Sequence, residues 1–172
     1  IFIGRATRAA EFLESAEKEY IAGLRLGTVT DTQDTSGTVL ETHPVTATRA
    51  DVQAALQRFL GPIEQIPPMY SAIKIGGQKL YELARRGKEV ERKPRSITIH
   101  ELELLEGEGT EYVLRVRCSK GTYVRTLCHD LGSALGCGGC MSSLRRTRAG
   151  SFTLSQAVTM QQVLDFAAEH DP

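Results

Sequence analysis

The 172 residues carry 21 basic and 21 acidic side chains, with 41% hydrophobic and 24% charged residues. That is the balance of a globular fold with chain enough for one core, and no apolar run approaches the roughly 18 residues a membrane-spanning helix needs. The opening Ile1-Phe2-Ile3-Gly4-Arg5 has neither an initiator Met nor the order of a secretory signal, and starts in mid-pattern, as a cut or incompletely recorded chain would.

Residues 4–16 read as a helix, with Ala6, Ala9, Ala10, Phe12 and Leu13 in one arc and Glu11 and Glu14 outside it. From Lys18 to Gly27 the chain is extended, and Tyr20, Leu24 and Leu26 share parity. A Tyr there is either core or a platform at the edge of a cleft. Thr28 to Thr38 is polar and rich in Asp and Thr, a loop in which Asp31 and Asp34 make turns and offer too few oxygens for a calcium loop. A short strand follows over Val39 to Val45. Thr48-Arg-Ala-Asp51 has the form of a capping box and leads a helix to about Phe59, ended by Gly61-Pro62. Pro67-Pro68 holds an extended lead-in, Gly76-Gly77 turns the chain, and a helix over Lys79 to Arg86 stops at Gly87. Ser96 to Leu105 alternates with one parity slip that suggests a bulge. Gly107-Glu-Gly109 joins it to the strand Glu111 to Arg117 as an antiparallel hairpin.

The chain changes character between Cys118 and Gly132. A tight Lys120-Gly121-Thr122 turn, with Thr122 as a candidate cap, opens a helix in which Val124, Leu127, Leu131 and Leu135 recur at helical spacing. At its start Tyr123 and Arg125, flanked by Lys120, suit a flat anionic partner such as a nucleotide. The same pattern also fits an ordinary strand–helix corner. Then come a glycine-rich turn at 136–139, an extended basic stretch from Met141 to Leu154, and a last helix opened by Thr159-Met-Gln-Gln162. Hairpins with scattered helices predict an α+β fold with a largely antiparallel sheet flanked by helices.

The charge is segregated. Residues 113–150 hold seven Lys/Arg against one acid, net +6, and residues 74–95 hold eight against three, net +5, leaving −11 elsewhere. Two basic blocks on a neutral chain point to a polyanion-binding face, with unpartnered solvated faces as the plainer alternative. Four cysteines without a signal peptide fit a reducing, cytoplasmic compartment. Cys137-Gly-Gly-Cys140 has zinc half-site spacing, but there is no second such pair, and Cys128 and His129 point different ways on a helix. Reduced thiols and no metal are expected.

Several motifs occur in a fixed order: Gly4-Arg-Ala-Thr-Arg8, Lys18-Glu-Tyr20, Asp31-Thr-Gln-Asp34, Ile66-Pro-Pro-Met-Tyr-Ser-Ala-Ile-Lys74, Lys79-Leu-Tyr81, Ser119-Lys-Gly-Thr-Tyr-Val-Arg125 and Leu144-Arg-Arg146. Together they resemble the catalytic domain of the TruB family of tRNA pseudouridine synthases, nearer the stand-alone bacterial enzymes than the guide-RNA-dependent ones. The resemblance implies a single truncated pseudouridine synthase catalytic domain over residues 1–172. It implies isomerisation of a T-loop uridine (position 55) by base flipping, with the tRNA T arm as partner, no membrane, no metal or organic cofactor, and a monomer. It also implies that Tyr20 stacks on the uracil, that Tyr123 and Leu144 line its pocket, that Asp34 is a nearby loop acid, and that Lys120 and the basic blocks face the tRNA. Arg125 would pair with the nucleophilic aspartate. That aspartate belongs to a Gly-Thr-Leu-Asp-Pro-like segment expected upstream of Ile1, and Asp31, Asp34 and Asp130 sit in no such context. With that segment and the family's small C-terminal RNA-binding domain outside this sequence, the chain alone is expected to be inactive. The competing reading is a non-catalytic RNA-binding or tRNA-folding module.

Overall fold

The computed structural model describes residues 4–10 and 17–169. The described residues form ten strands: β1 (Lys18–Leu26), β2 (Thr28–Thr30), β3 (Val39–Thr42), β4 (Gly61–Gln65), β5 (Lys74–Ile75), β6 (Gln78–Lys79), β7 (Arg95–Glu108), β8 (Glu111–Cys118), β9 (Gly139–Ala149) and β10 (Phe152–Thr153). The α-helices are α1 (Arg49–Leu56), α2 (Leu80–Ala84), α3 (Val124–Ala134) and α4 (Met160–Glu169). Six strands make one sheet in the order β10-β9-β1-β8-β7-β4, every neighbouring pair antiparallel, as the α+β expectation requires.

Alternation along the strands sorts the sheet into two faces. Ala22, Leu24 and Leu26 of β1, Leu114 and Val116 of β8, and Ile97, Ile99, Leu102 and Leu104 of β7 are buried on one side. Val52, Ala55 and Leu56 of α1 and Val124, Leu127 and Leu131 of α3 cover them in a single core. Each Val, Leu or Ile among them contributes about 1.5–3 kcal/mol by leaving water. On the opposite face charges pair across strands: Arg115 donates to Glu103 at 2.8 Å, and Arg117 to Glu17 at 2.9 Å and to Glu101.

The elements follow the sequence closely where local chemistry decides them. The Thr48 capping box forms: Asp51 N donates to Thr48 Oγ1 at 3.3 Å and Thr48 N to Asp51 Oδ2 at 2.8 Å. Beyond Leu56 the helix tightens to a 3-10 turn, Gln57–Phe59. Thr159 and Gln162 cap α4 reciprocally, at 2.8 Å and 3.2 Å.

The departures have physical causes. Residues 28–38 are not loop throughout, because β2 pairs with β3, where β-branched Thr28, Val29 and Thr30 fit a pleated ribbon. Strand β7 carries two register shifts where one was expected, at Ile99/Glu101 and Leu104/Glu106. The helix expected over 4–16 starts as a 3-10 turn at Gly4–Ala9, and positions 11–16 lie outside the described residues. Thr122 does not cap α3; its hydroxyl turns back to Ser119 O at 3.0 Å, and Tyr123 occupies the N-cap.

Helix α3 meets the start of β9 at backbone distance. A Cβ on Gly132 would lie 2.2 Å from Gly139 N and 2.3 Å from Gly138 C, with only backbone atoms to yield. Gly132→Ala is therefore expected to lower the free energy of unfolding by about 1–3 kcal/mol. Urea titration checks this, and an unchanged midpoint would show that helix and strand can part freely.

Candidate functional site

Tyr20 enters the site from β1, an interior strand hydrogen-bonded to β8 and β9. Its register partners are Val116 on β8 and Arg146 on β9. The ring is half-buried, packed against the core on one side and open on the other. Burial pushes its phenol up, and Cys118 adds to this. The Arg146 charge and hydrogen bond pull the other way without overcoming it. At neutral pH the group is thus an uncharged flat ring. Two residues along, Ala22 pairs with Leu144, so Leu144 shares the face of Tyr20 and Arg146. Leu144 is 46% exposed, a large apolar side chain without a core role.

The second half of the site hangs from the start of α3. Arg125 Nη1 donates to Asp34 Oδ2 at 3.2 Å and to Thr32 O at 3.4 Å. The loop bearing Asp34 is tied on two sides. Thr35 N donates to Met141 O at 2.9 Å and Met141 N to Gln33 O at 3.0 Å, which fixes the loop to β9. Thr126 Oγ1 donates to Gln33 Oε1 at 2.7 Å, which fixes it to α3. Gln33 bends through a positive φ of 64° to make both contacts. Asp34 Oδ1 accepts from Thr32 Oγ1 at 2.9 Å and Ser36 N at 3.0 Å, and Asp31 Oδ1 from Thr38 N at 2.8 Å, so both acids do make turns. Burial raises the Asp34 pKa, but hydrogen bonds from Ser36 and Thr32, with the Arg125 charge, outweigh it. The carboxyl ends below its ordinary range.

Beside the Lys18 end of β1 lies a groove of about 890 Å³, lined in part by Lys18, Arg95, Lys120, Arg146, Arg148 and Phe152. None of the described residues lining it is acidic. Arg148 Nε is buried without a hydrogen-bond partner among the described residues. Such a concavity attracts polyanions, because low-dielectric walls strengthen the field of clustered charge. The groove joins one basic block, through Lys120, Arg146 and Arg148, to the other, through Arg95. The blocks do not act whole, however: Arg115 and Arg117 are neutralised on the far face of the sheet, and Arg92 pairs with Glu89 at 2.9 Å.

Arg125 and Asp34 are therefore in contact, Tyr20 and Leu144 share a face, Tyr123 caps the helix that bears Arg125, and Lys120 stands at the groove. One residue, Gln65, escaped the reading of the sequence, and Arg146, read there only as part of a motif and a basic block, is set against Tyr20 by strand register and bonds its hydroxyl. Gln65, 2% exposed, accepts from Tyr123 N at 2.8 Å and donates to Tyr123 O at 3.1 Å. An amide at an inward-facing strand position was its only local signal.

The four cysteines are free thiols, all buried. Burial raises the Cys118 and Cys140 pKa values and takes Cys128 up to about 12, away from the thiolate a metal needs. Among the described residues no group of three His, Cys, Asp or Glu could hold a metal ion, and no helix is long and apolar enough to cross a membrane.

Comparison with known proteins places this geometry in context. The description "TruB family pseudouridylate synthase (N terminal domain)" matches residues 1–124, and "tRNA pseudouridylate synthase B C-terminal domain" matches 125–172. The boundary falls in the first turn of α3, and the sheet crosses it, since β9 pairs with β1. The chain is 54% identical to a tRNA pseudouridine synthase B of Pseudomonas putida over 166 residues, 96% of this chain and 54% of the relative. It is 52% identical to one of an Azoarcus species, over 92% of this chain and 53% of the relative. It thus spans about half the length of the curated relatives it matches. Among solved structures it resembles a chain of a Cbf5-Nop10-Gar1 complex, with TM-score 0.73, 30% identity, 98% of this chain and 42% of that one covered. It also resembles a chain of an H/ACA RNP bound to a substrate RNA containing 2'-deoxyuridine, with TM-score 0.68, 27% identity, and 97% and 40% covered.

Because folding lowers the Asp34 pKa, its carboxylate contributes stability above the ordinary aspartate range, and that contribution is lost as pH falls through the lowered folded value. Asp34→Asn should lower the unfolding free energy near neutral pH by about 1–2 kcal/mol. The gap from the parent chain should close on acidification, read by denaturant titration across pH. A gap of constant size down to about pH 3 would mean that the charge of Asp34 plays no part.

Proposed function

Because the chain belongs to the TruB family of pseudouridylate synthases, we propose that it is the part of a tRNA pseudouridine synthase that holds the RNA and the target base, a T-loop uridine at position 55. The observation that carries this reading is an uncharged, half-open Tyr20 ring sharing a face with exposed Leu144, beside a groove of five cations. The reaction breaks the bond between C1′ and N1, turns the uracil, and joins C5 to C1′; C5 gives up a proton and N1 takes one. Atoms and electrons balance within the nucleotide, so the isomerisation consumes no external oxidant or reductant.

The uracil must leave the folded T loop to be turned, and the enzyme has to recover the cost of unstacking it. Tyr20 offers the replacement stack, worth roughly 1–3 kcal/mol per base. Leu144 and Tyr123 close the apolar sides of the pocket. The groove with Lys120 takes the phosphates of the T arm, through counterion release. Arg125, already held by Asp34, keeps the attacking carboxylate ionised and aimed at C1′. That carboxylate comes from an aspartate in a Gly-Thr-Leu-Asp-Pro-like segment preceding Ile1, so the 172 residues alone bind RNA but do not turn over. The intact protein works as a cytoplasmic monomer.

The test is pseudouridine formation on a T-arm RNA by these 172 residues with and without that preceding segment. Turnover only with the segment is expected. RNA binding without turnover in both would leave a non-catalytic module. In the active protein, Tyr20→Ala should cut turnover by about 10–100-fold, the equivalent of the lost stack. Lys120→Ala should mainly weaken RNA affinity and reduce the slope of log K against log salt by about one. Equal losses of turnover from the two variants would remove Tyr20 from its stacking role.

A further inference from the structure

Helix α3 starts in an unusual way. Ser, Thr, Asp and Asn dominate N-caps because their side chains accept from the exposed N–H groups of the first turn. Here Tyr123 sits at the N-cap, φ −100° and ψ 104°, with no side-chain cap hydrogen bond, and the adjacent Thr122 hydroxyl is engaged with Ser119. Yet the helix is well formed, and Tyr123 O accepts its first intrahelical bond from Leu127 N at 3.1 Å.

What holds this end is a side chain from 58 residues away. Gln65, the last residue of edge strand β4, uses both ends of its carboxamide on one peptide unit pair: Oε1 takes the Tyr123 N–H at 2.8 Å and Nε2 gives to Tyr123 O at 3.1 Å. A carboxamide offers an acceptor and a donor side by side in a plane at any pH, so it can mimic a β-bridge partner. Gln65 is only 2% exposed, so its carboxamide depends on these two bonds, and removing it leaves the Tyr123 N–H without this partner while Tyr123 O keeps Leu127 N.

We infer that Gln65 is the positioning residue of the site, supplying in trans the bond to the N-cap N–H that the N3 side chain of a capping box would otherwise give, while the N3 residue, Thr126, bonds Gln33 instead. Two pocket-forming side chains depend on that turn. Tyr123 takes its direction from the peptide that Gln65 grips, and Arg125 stands two residues on, where a tilt of the turn would draw its guanidinium away from Asp34. The functional consequence rests on the pseudouridine synthase reading. The trans support does not.

The experiment compares the parent with Gln65→Met, which keeps length and volume but loses both hydrogen bonds, and Gln65→Glu, which keeps the acceptor for Tyr123 N–H and loses the donor. In the full-length enzyme acting on T-arm RNA, Gln65→Met should lower kcat by about tenfold or more while KM changes by less than about twofold, because a misplaced pocket costs the transition state more than RNA binding. Gln65→Glu should fall between the two. By hydrogen exchange on this chain, the Tyr123 amide should lose protection in Gln65→Met while the Leu127 and Leu131 amides keep theirs. Unchanged kcat in Gln65→Met, or loss of activity only in step with loss of protection throughout α3, would overturn the proposal. If the parent enzyme makes no pseudouridine the functional reading fails instead, and the exchange measurement alone decides whether Gln65 supports the turn.

Discussion

The pair between Arg125 and Asp34 joins three pieces of chain that are remote in sequence: the loop after β2, the first turn of α3 and strand β9. Neither partner is deeply buried, at 30% and 17% side-chain exposure, so the pair avoids the full penalty of taking charges out of water. Its geometry comes from the neighbours rather than from attraction alone. Asp34 is held by Thr32 and Ser36, its loop is stitched to Met141, and Gln33 bonds Thr126 on the helix. With so much of the loop fixed beforehand, the guanidinium loses little further entropy in docking. An arginine held at one edge by a permanent carboxylate keeps its remaining donors pre-aimed for a second one.

The sheet divides its labour by face. On one side, alternating aliphatic residues pack beneath α1 and α3 and carry the stability. On the other, Arg115 and Arg117 are balanced by Glu101, Glu103 and Glu17. A chain with zero net charge can thus present a basic groove: Glu17, Glu101 and Glu103 answer arginines on the outer face, and Lys18, Arg95, Lys120, Arg146 and Arg148 collect where β1 begins and β9 ends, with no described acid in the lining. Tyr20 lies two residues from Lys18 on the same strand, so a base on the ring and phosphates in the groove would belong to one stretch of nucleic acid.

Much of this was legible in the sequence, for identifiable reasons. Parity gave away β1, β7 and β8, because one face of each is buried. The Thr48 and Thr159 capping boxes are local, and they formed. Strand β2 was hidden because its polar residues look like loop until β3 lies beside it. Thr122 was a sound candidate for a cap on local grounds, and it failed because the helix starts one residue later, at the Tyr123 N-cap gripped by Gln65, and the Thr122 hydroxyl turns back to Ser119. In the site, Tyr20, Tyr123, Arg125, Leu144, Asp34 and Lys120 stood out through motifs resembling the TruB family, together with the mixture of aromatic and cationic side chains at the start of α3. Gln65 did not, nor did the pairing of Arg146 with Tyr20. Gln65 meets its partner across 58 residues, and Arg146 reaches Tyr20 through a register interrupted by bulges at Glu19/Tyr20 and Gly23/Leu24.

If a pyrimidine swung out of its RNA loop rests on the Tyr20 ring, its H5 and H6 come within reach of the ring protons. The most direct measurement is an NMR spectrum of the protein bound to a T-arm RNA hairpin carrying an isotope-labelled target uridine. The account predicts cross-peaks from the Tyr20 ring protons to H5 and H6 of that uridine, with the base no longer stacked on its neighbours. A bound hairpin whose uridine stays stacked in the loop, with no contact to Tyr20, would contradict it.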